Sequence, residues 1–317
     1  MNITCPVCSI RAALLYRLHD DRYGYPGSFP YHRCPGCGLI FLGQTMDEAV
    51  LTTLYSDYYP RSILDEKDWK PYAFQPGFKA WLQGYSSAYM RVPPRTRVLD
   101  IGCGFGGALG YHRDRGCDVH GTELDHNAKR VAEAHGLDIR CGPFEPGDWP
   151  EAAFDYVTLD QVLEHNRDAL PLLQGIRRVL KPGGRLVFTT PNARGWTAKL
   201  CGRRWIHWHP PYHVCLHTRR SLRLLLTAAG FVLDRLDTVT SSPWLTYQII
   251  HLATLPEVGQ PSPFWDQRYD QPWTAAGLRT RRLAFWLQAH QVTPLVCRLF
   301  DALGIGDNFV GEAKPCP

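Results

Sequence analysis

Three groups of residues have types and spacings that could carry chemistry. The first is Val98-Leu99-Asp100-Ile101-Gly102-Cys103-Gly104-Phe105-Gly106-Gly107. An apolar run enters a glycine-rich turn, and a helical stretch follows. Glycines there allow a tight bend and let a ligand approach the backbone with no Cβ in the way. The helix N-terminus beyond favours a negative group. Gly102, Gly104 and Gly107 fit G-x-G-x-x-G, a spacing that also serves NAD and FAD. Asp100 bears on the choice: it would face the pyrophosphate of a dinucleotide unfavourably, but would attract a cationic amine. Glu123 ends the next apolar run, Val119-His120-Gly121-Thr122-Glu123, about 20 residues on, where an acid accepts from ribose hydroxyls. Its plainer reading is a solvated loop acid.

The second group is two C-x2-C knuckles, Cys5-Pro-Val-Cys8 and Cys34-Pro-Gly-Cys37. The loop between them exceeds the usual ribbon spacing, but extra loop length adds little closure entropy. Four thiolates suit tetrahedral zinc, and a segment too short to build a core gains from a metal staple. Unligated thiols or a redox pair are the alternatives. No open coordination position is evident, so the zinc would be structural. The third group is imidazoles: His207, His209, His213 and His217 in Trp205–His217, with His165 further upstream. Histidine is the usual general base near neutral pH. His213 is the preferred candidate and His165 its rival; orienting a loop is the alternative role for both. No carboxylate accompanies His207, His209 and His213, so a catalytic metal is not expected.

These residues need a frame. Apolar runs of about five residues alternate with helical stretches from Arg95 onward, the βαβ signature. Strands are predicted at 97–101, 118–122, 137–141, 154–159, 185–190, 231–237 and 308–314, with helices near 106–115, 125–135, 167–180 and 218–229. Thr218 is the expected N-cap of the last helix, which ends at Gly230. Residues 1–43 read as a loop-like knuckle, 44–94 as an irregular helical linker or lid, and 95–317 as the main domain. Within the last, about 238–307 form a helical insertion.

The blocks VLDIGCGFG, GTELD, FDYVTLDQVLEH and LKPGGRLVFTTPN, in that order across about residues 95–235, resemble the class I S-adenosylmethionine (SAM)-dependent methyltransferases. The N-terminal knuckle resembles a bacterial subgroup acting on sugars and natural products. The resemblance implies an α/β, Rossmann-like seven-stranded sheet with flanking helices and an antiparallel last strand. It places Asp100, Gly102, Gly104 and Gly106 at the methionine end of SAM and Glu123 on the ribose. Leu124 and Phe144 would lie against adenine, and Asp160 and Gln161 near the transfer point. Zinc would sit on Cys5, Cys8, Cys34 and Cys37, with His213 or His165 as base.

The expected reaction is methylation of a small-molecule hydroxyl, on a sugar or natural product. An RNA or protein methyltransferase that docks through the knuckle is the alternative. The net charge of +5 is too mild for non-specific nucleic-acid binding. Arg194, Lys199, Arg203, Arg204, Arg219, Arg220 and Arg223 could hold an anionic acceptor, or form a solvated face. The aromatic and basic stretch 279–287 reads as packing or a dimer lid before a membrane contact. No signal peptide or membrane span is visible. With 11 cysteines, an odd number and mostly isolated, a reducing cytoplasm is expected.

Overall fold

The apolar runs from Arg97 onward become strands because both faces of a central parallel sheet are covered, so near-continuous hydrophobic sequence is what such strands need. The computed structural model describes residues 3–59, 66–266, 268 and 272–316. Its elements in chain order are β1 (Ala13–Leu18), β2 (Phe29–Arg33), β3 (Ile40–Leu42), α1 (Glu48–Thr53), α2 (Phe78–Gln83), β4 (Arg97–Ile101), α3 (Gly107–Arg113), β5 (Asp118–Glu123), α4 (His126–Ala134), β6 (Asp138–Cys141) and β7 (Phe154–Asp160). There follow α5 (Ala169–Val179), β8 (Leu180–Pro191), α6 (Trp196–Cys201), β9 (Cys215–Leu216), α7 (Arg219–Ala228), β10 (Phe231–Val239), α8 (Ser242–Leu252), α9 (Ala275–Ala289), α10 (Val292–Ala302) and β11 (Asn308–Pro315).

The main sheet has seven strands in the order β10-β11-β8-β7-β4-β5-β6. The five from β8 to β6 are parallel; β11 is antiparallel to both β8 and β10. This is the α/β, Rossmann-like architecture expected, with the last strand reversed between two others. Leu173 and Ile176 of α5 and Leu222 and Leu226 of α7 cover one face against Leu99, Phe154, Val157 and Phe188. Leu109 of α3 and Val131 of α4 cover the other, with Ile139 of β6. Thr218 caps α7, its side chain accepting from the Ser221 N–H at 3.1 Å, and Gly230 follows with φ +80°.

The N-terminal segment departs from its loop-like reading. β1, β2 and β3 form an antiparallel sheet, and β9, from far along the chain, adds the fourth strand beside β3. Strands of three to six residues are too short to show a pattern; they hold because Phe29, Tyr31, Ile40 and Leu42 pack on Trp205 and Trp208. The 44–94 stretch is broken helix: α1, a π-helical turn Leu54–Tyr58, α2 and 3-10 turns. The insertion supplies α8, α9 and α10. Among the described residues, no helix is long and apolar enough to cross a membrane.

Candidate cofactor and acceptor site

The bend after β4 is built from three left-handed glycines, Gly102 (φ +73°), Gly104 (φ +53°) and Gly106 (φ +76°). The N–H groups of Gly102 and Cys103 both donate to the Thr122 carbonyl, at 2.8 and 3.1 Å, so the loop is tied to the end of β5. Glu123 completes the tie. Its Oε2 accepts from the Gly104 N–H at 2.9 Å and its Oε1 from the Asp125 N–H at 3.0 Å. The acid and the glycine turn therefore form one rigid wall. A Cβ added at Gly104 would meet nothing within 4 Å, so the space over that backbone is open. The same addition at Gly106 would run into Leu137 Cδ1 at 2.6 Å. Gly106 thus faces the core, and its job is to start α3.

The open side of this wall is a cavity of about 620 Å³ at the C-terminal ends of β4, β5 and β7. Gly102, Gly104, Glu123, Leu124, Phe144 and Gln161 all line it. Leu124 and Phe144 give it an apolar end suited to a flat ring. Tyr55 and Tyr59, His165, Asn166 and Leu172 line the rest; the two tyrosines come from the irregular stretch read in the sequence as a linker or lid. Asp100, next in chain to the cavity-lining Ile101, is 5% exposed and accepts from the Thr158 hydroxyl at 2.6 Å. Burial pushes its carboxyl up to about 7, and the Asp160 and Glu123 charges add to the rise. Asp160, also raised by burial, accepts from the Thr189 hydroxyl. Among the described residues no cation is recorded against these two acids, which suits a ligand that brings a positive charge.

A family model described as "Methyltransferase domain" matches residues 75–236, half of the chain. The chain belongs to the methyltransferase-domain family. Among curated relatives, it is 35% identical over 109 residues to a ubiquinone biosynthesis O-methyltransferase of Idiomarina loihiensis, covering 32% of this chain and 45% of that one. It is 38% identical over 111 residues to a malonyl-[acyl-carrier protein] O-methyltransferase of Enterobacter lignolyticus, covering 32% and 41%. To a glycine/sarcosine/dimethylglycine N-methyltransferase of Actinopolyspora halophila it is 35% identical over 111 residues, covering 32% and 20%. The matches thus span a fifth to under half of these relatives' lengths. A solved structure, a putative sarcosine dimethylglycine methyltransferase from Galdieria sulphuraria, superposes with a TM-score of 0.46 at 15% identity, covering 72% of this chain and 81% of that one.

Beside the cavity, the methyltransferase domain gathers an imidazole cluster. His165 closes the 3-10 turn Leu163–His165 after β7 and is exposed on the cavity wall. Desolvation by the protein packed around the ring holds its imidazole down at about 4. His213, 7% exposed, packs edge-on behind it with ring centroids 4.8 Å apart. His213 does not line the cavity; it reaches it through His165. Its Nδ1 faces the His207 carbonyl at 2.8 Å and that of His165 faces the Tyr212 carbonyl at 3.0 Å. A carbonyl can only accept, so both Nδ1 atoms carry the proton and both Nε2 atoms are left as the acceptor. His207 turns instead to Asp307, 3.3 Å away, and His217 lies beside Ser221. The sequence reading missed Glu164. It is fully buried, accepts from the Thr190 hydroxyl at 2.9 Å, and is pushed up to about 8 by burial.

The four cysteines of the two knuckles converge. Cys5 Sγ lies 3.5 Å from Cys37 Sγ, and Cys8 Sγ 3.3 Å from Cys34 Sγ. Zinc bonds of about 2.3 Å in a tetrahedron hold sulfurs roughly 3.8 Å apart, so the set fits a zinc ion with a slight expansion. A hydrogen bond from Cys37 draws the Cys5 thiol down to about 5, toward the thiolate that a metal needs. The knuckle is docked on the methyltransferase domain by the Thr218 hydroxyl, which donates to the Cys37 carbonyl at 2.7 Å. Between knuckle and α7 lies a hollow of about 800 Å³ lined by Arg33, Arg194, Arg219, Arg220 and Arg223 and by no acid. Arg203 is elsewhere, donating to the Arg17 carbonyl.

Proposed function

We propose that the protein transfers a methyl group from SAM to a hydroxyl of a small molecule, a sugar or natural product. The observation that carries this reading is the Glu123 carboxylate bound to the Gly104 N–H under open space, with the buried Asp100 and the half-buried Asp160 each next in chain to a cavity-lining residue. Glu123 is placed to accept from ribose hydroxyls, Leu124 and Phe144 to flank adenine, and Asp100 to face the methionine amine. Gly102 and Gly104 bring the backbone up to that end, and Gly106 sets the turn. Asp160 and Gln161 stand at the transfer end; Gln161, with φ +58°, donates its N–H to the Thr189 hydroxyl oxygen. SAM, when bound, supplies the electrophilic methyl; the chain supplies alignment and a proton acceptor.

His213 is buried and His165, exposed on the cavity wall, is crowded by protein; both surroundings disfavour the charged imidazole, so both rings are neutral at pH 7. His165 is placed to take the hydroxyl proton, and His213 to support it; a direct role for His213 as base requires the acceptor to reach past His165. The arginine hollow beside the knuckle favours an acceptor with an anionic handle. It also gives the second reading, an RNA or protein substrate docked on the knuckle, its one specific support. The structural zinc role of Cys5, Cys8, Cys34 and Cys37 belongs to the same proposal.

Calorimetry on the zinc-loaded protein tests the cofactor. Uptake of SAM or its demethylated product is expected, with no response to NADH; the reverse pattern overturns the reading. Cell extract incubated with the protein and methyl-labelled SAM tests the acceptor. Label should appear in a small metabolite, and label in RNA or protein would transfer the argument to the second reading.

A further inference from the structure

The cluster beside the cavity contains more than a base needs. Glu164 has no exposed surface, and only one of its oxygens is served: Oε2 takes the Thr190 hydroxyl, while Oε1 has no hydrogen-bond partner among the described residues. A buried carboxylate oxygen without a donor is costly, and cores avoid it unless something occupies the vacancy. Arg22, the cation felt by these imidazoles, does not serve it. Its guanidinium donates to the Ile206 carbonyl and lies 4.1 Å from the Trp265 ring centroid. His165 and His213 lie beside Glu164. The Nε2 atoms of His165 and His213 are lone pairs, because their Nδ1 protons are committed to the Tyr212 and His207 carbonyls. One ligand atom from each of Glu164, His165 and His213 lies within 4.8 Å of the others.

We propose that Glu164, His165 and His213 form a second metal site that takes a divalent transition ion, zinc being the simplest probe. Three ligating groups that converge within 4.8 Å are what an ion requires, and its binding displaces any proton that Glu164 holds. The ring orientation is also what a ligating histidine requires: the far nitrogen donates to a main-chain carbonyl, which fixes the tautomer and the aim of the ring. The main chain of two of the three residues is also tied down: Val214 N–H donates to the Glu164 carbonyl at 2.8 Å, and the Tyr31 hydroxyl to the His213 carbonyl at 2.8 Å. Metal–ligand bonds of about 2.0–2.2 Å draw ligand atoms to roughly 3–3.5 Å, so loading requires a contraction of an ångström or so. Two histidines and one carboxylate leave positions open, and His165 lies on the cavity wall, so an open position faces the acceptor end. The ion's binding stands on these residues alone. Its use, to hold and acidify the acceptor hydroxyl when loaded, in place of proton removal by the His165 lone pair, rests on the methyl-transfer reading.

The test is metal content and cobalt spectroscopy on the full chain, titrated with zinc or cobalt alone after treatment with a chelator. Wild type should take two equivalents. Glu164→Gln, which keeps an oxygen for Thr190, and His165→Gln should each take one. Cobalt in the cysteine site gives intense thiolate charge-transfer bands that persist in both variants; the weaker visible bands of the nitrogen and oxygen site should vanish from them. One equivalent in wild type, or two in both variants, overturns the proposal. Should one variant fail to fold, the other decides. Calorimetry with the demethylated cofactor on the same samples separates the two claims: loss of cofactor binding in wild type sinks the methyl-transfer reading whatever the metal count.

Discussion

Gly104 and Gly106 look alike in sequence and in backbone angle, yet they should fail in opposite ways when replaced by alanine. Both have left-handed φ, +53° and +76°, so each substitution costs about 1–2 kcal/mol in backbone strain. Beyond that they diverge. At Gly104 the new methyl meets no atom of the protein within 4 Å, so strain is the whole stability cost. At Gly106 it lies 2.6 Å from Leu137 Cδ1 and 3.3 Å from Ile139 Cδ1, inside the core between α3 and β6. Overpacking of that kind adds about 1–3 kcal/mol, for a total of roughly 2–5 kcal/mol. At about 2–4 °C per kcal/mol, Gly104→Ala should lower Tm by roughly 2–8 °C, and Gly106→Ala clearly more. Affinity should run the other way. The Gly104 methyl stands in the space proposed for the cofactor and should weaken binding at least about tenfold, or 1.4 kcal/mol. Gly106→Ala should bind nearly normally while it remains folded. Thermal melts and calorimetry with the demethylated cofactor read both quantities. Wild-type affinity in Gly104→Ala would show that the ligand does not lie over that backbone.

Affinity should also depend on pH through Asp100. Its carboxyl is raised from 3.8 to about 7 in the free protein, so the folded state binds the extra proton and loses stability as pH rises between those values. A cationic ligand favours the ionised form, so its binding should release a proton below pH 7 and tighten by up to about tenfold per pH unit, then level off. Calorimetry in buffers of different ionisation enthalpy measures the proton; uptake instead of release would rule out the contact. Thr218→Ala removes both the cap of α7 and the bond to the Cys37 carbonyl, and should cost about 1–2 kcal/mol in denaturant unfolding. No loss would mean that the knuckle does not depend on this dock. Stripping zinc should alter the near-UV signals of Trp205 and Trp208, which pack on the knuckle sheet; an unchanged spectrum at confirmed zero zinc would refute the staple. Finally, His165→Ala should cut turnover by about 10²–10⁴ with cofactor affinity retained, and full turnover would remove it from the chemistry.

The legible parts of this protein are those governed by local rules. Strands β4, β5, β6, β7, β10 and β11 fall within a residue or two of their expected positions: the inner parallel strands β4 and β7 are apolar runs buried on both faces, and the antiparallel β10 alternates in burial at its start, both patterns being local. The reversed last strand came from the family resemblance, and β11 has it. The glycine turn and Glu123 were visible because positive φ and a strand-end acid are matters of adjacent residues. The knuckle cysteines were visible because their spacing is local too, and the structure brings all four sulfurs together.

What adjacent residues could not reveal was pairing at a distance. β9 completes a sheet whose other strands lie about 170 residues earlier, and two residues carry no pattern of their own. Tyr55 and Tyr59 reach the cavity from broken helix with no period to read. Glu164 was passed over beside His165 because, in sequence, the histidines around His213 had no carboxylate. Chain order alone thus settled the elements, the glycine bend and the four thiolates, since each depends on neighbours a few residues apart. Tertiary packing decided which groups meet. It set the buried Glu164 and His213 against His165 on the cavity wall, and proximity and burial of that kind exist only once the chain has folded.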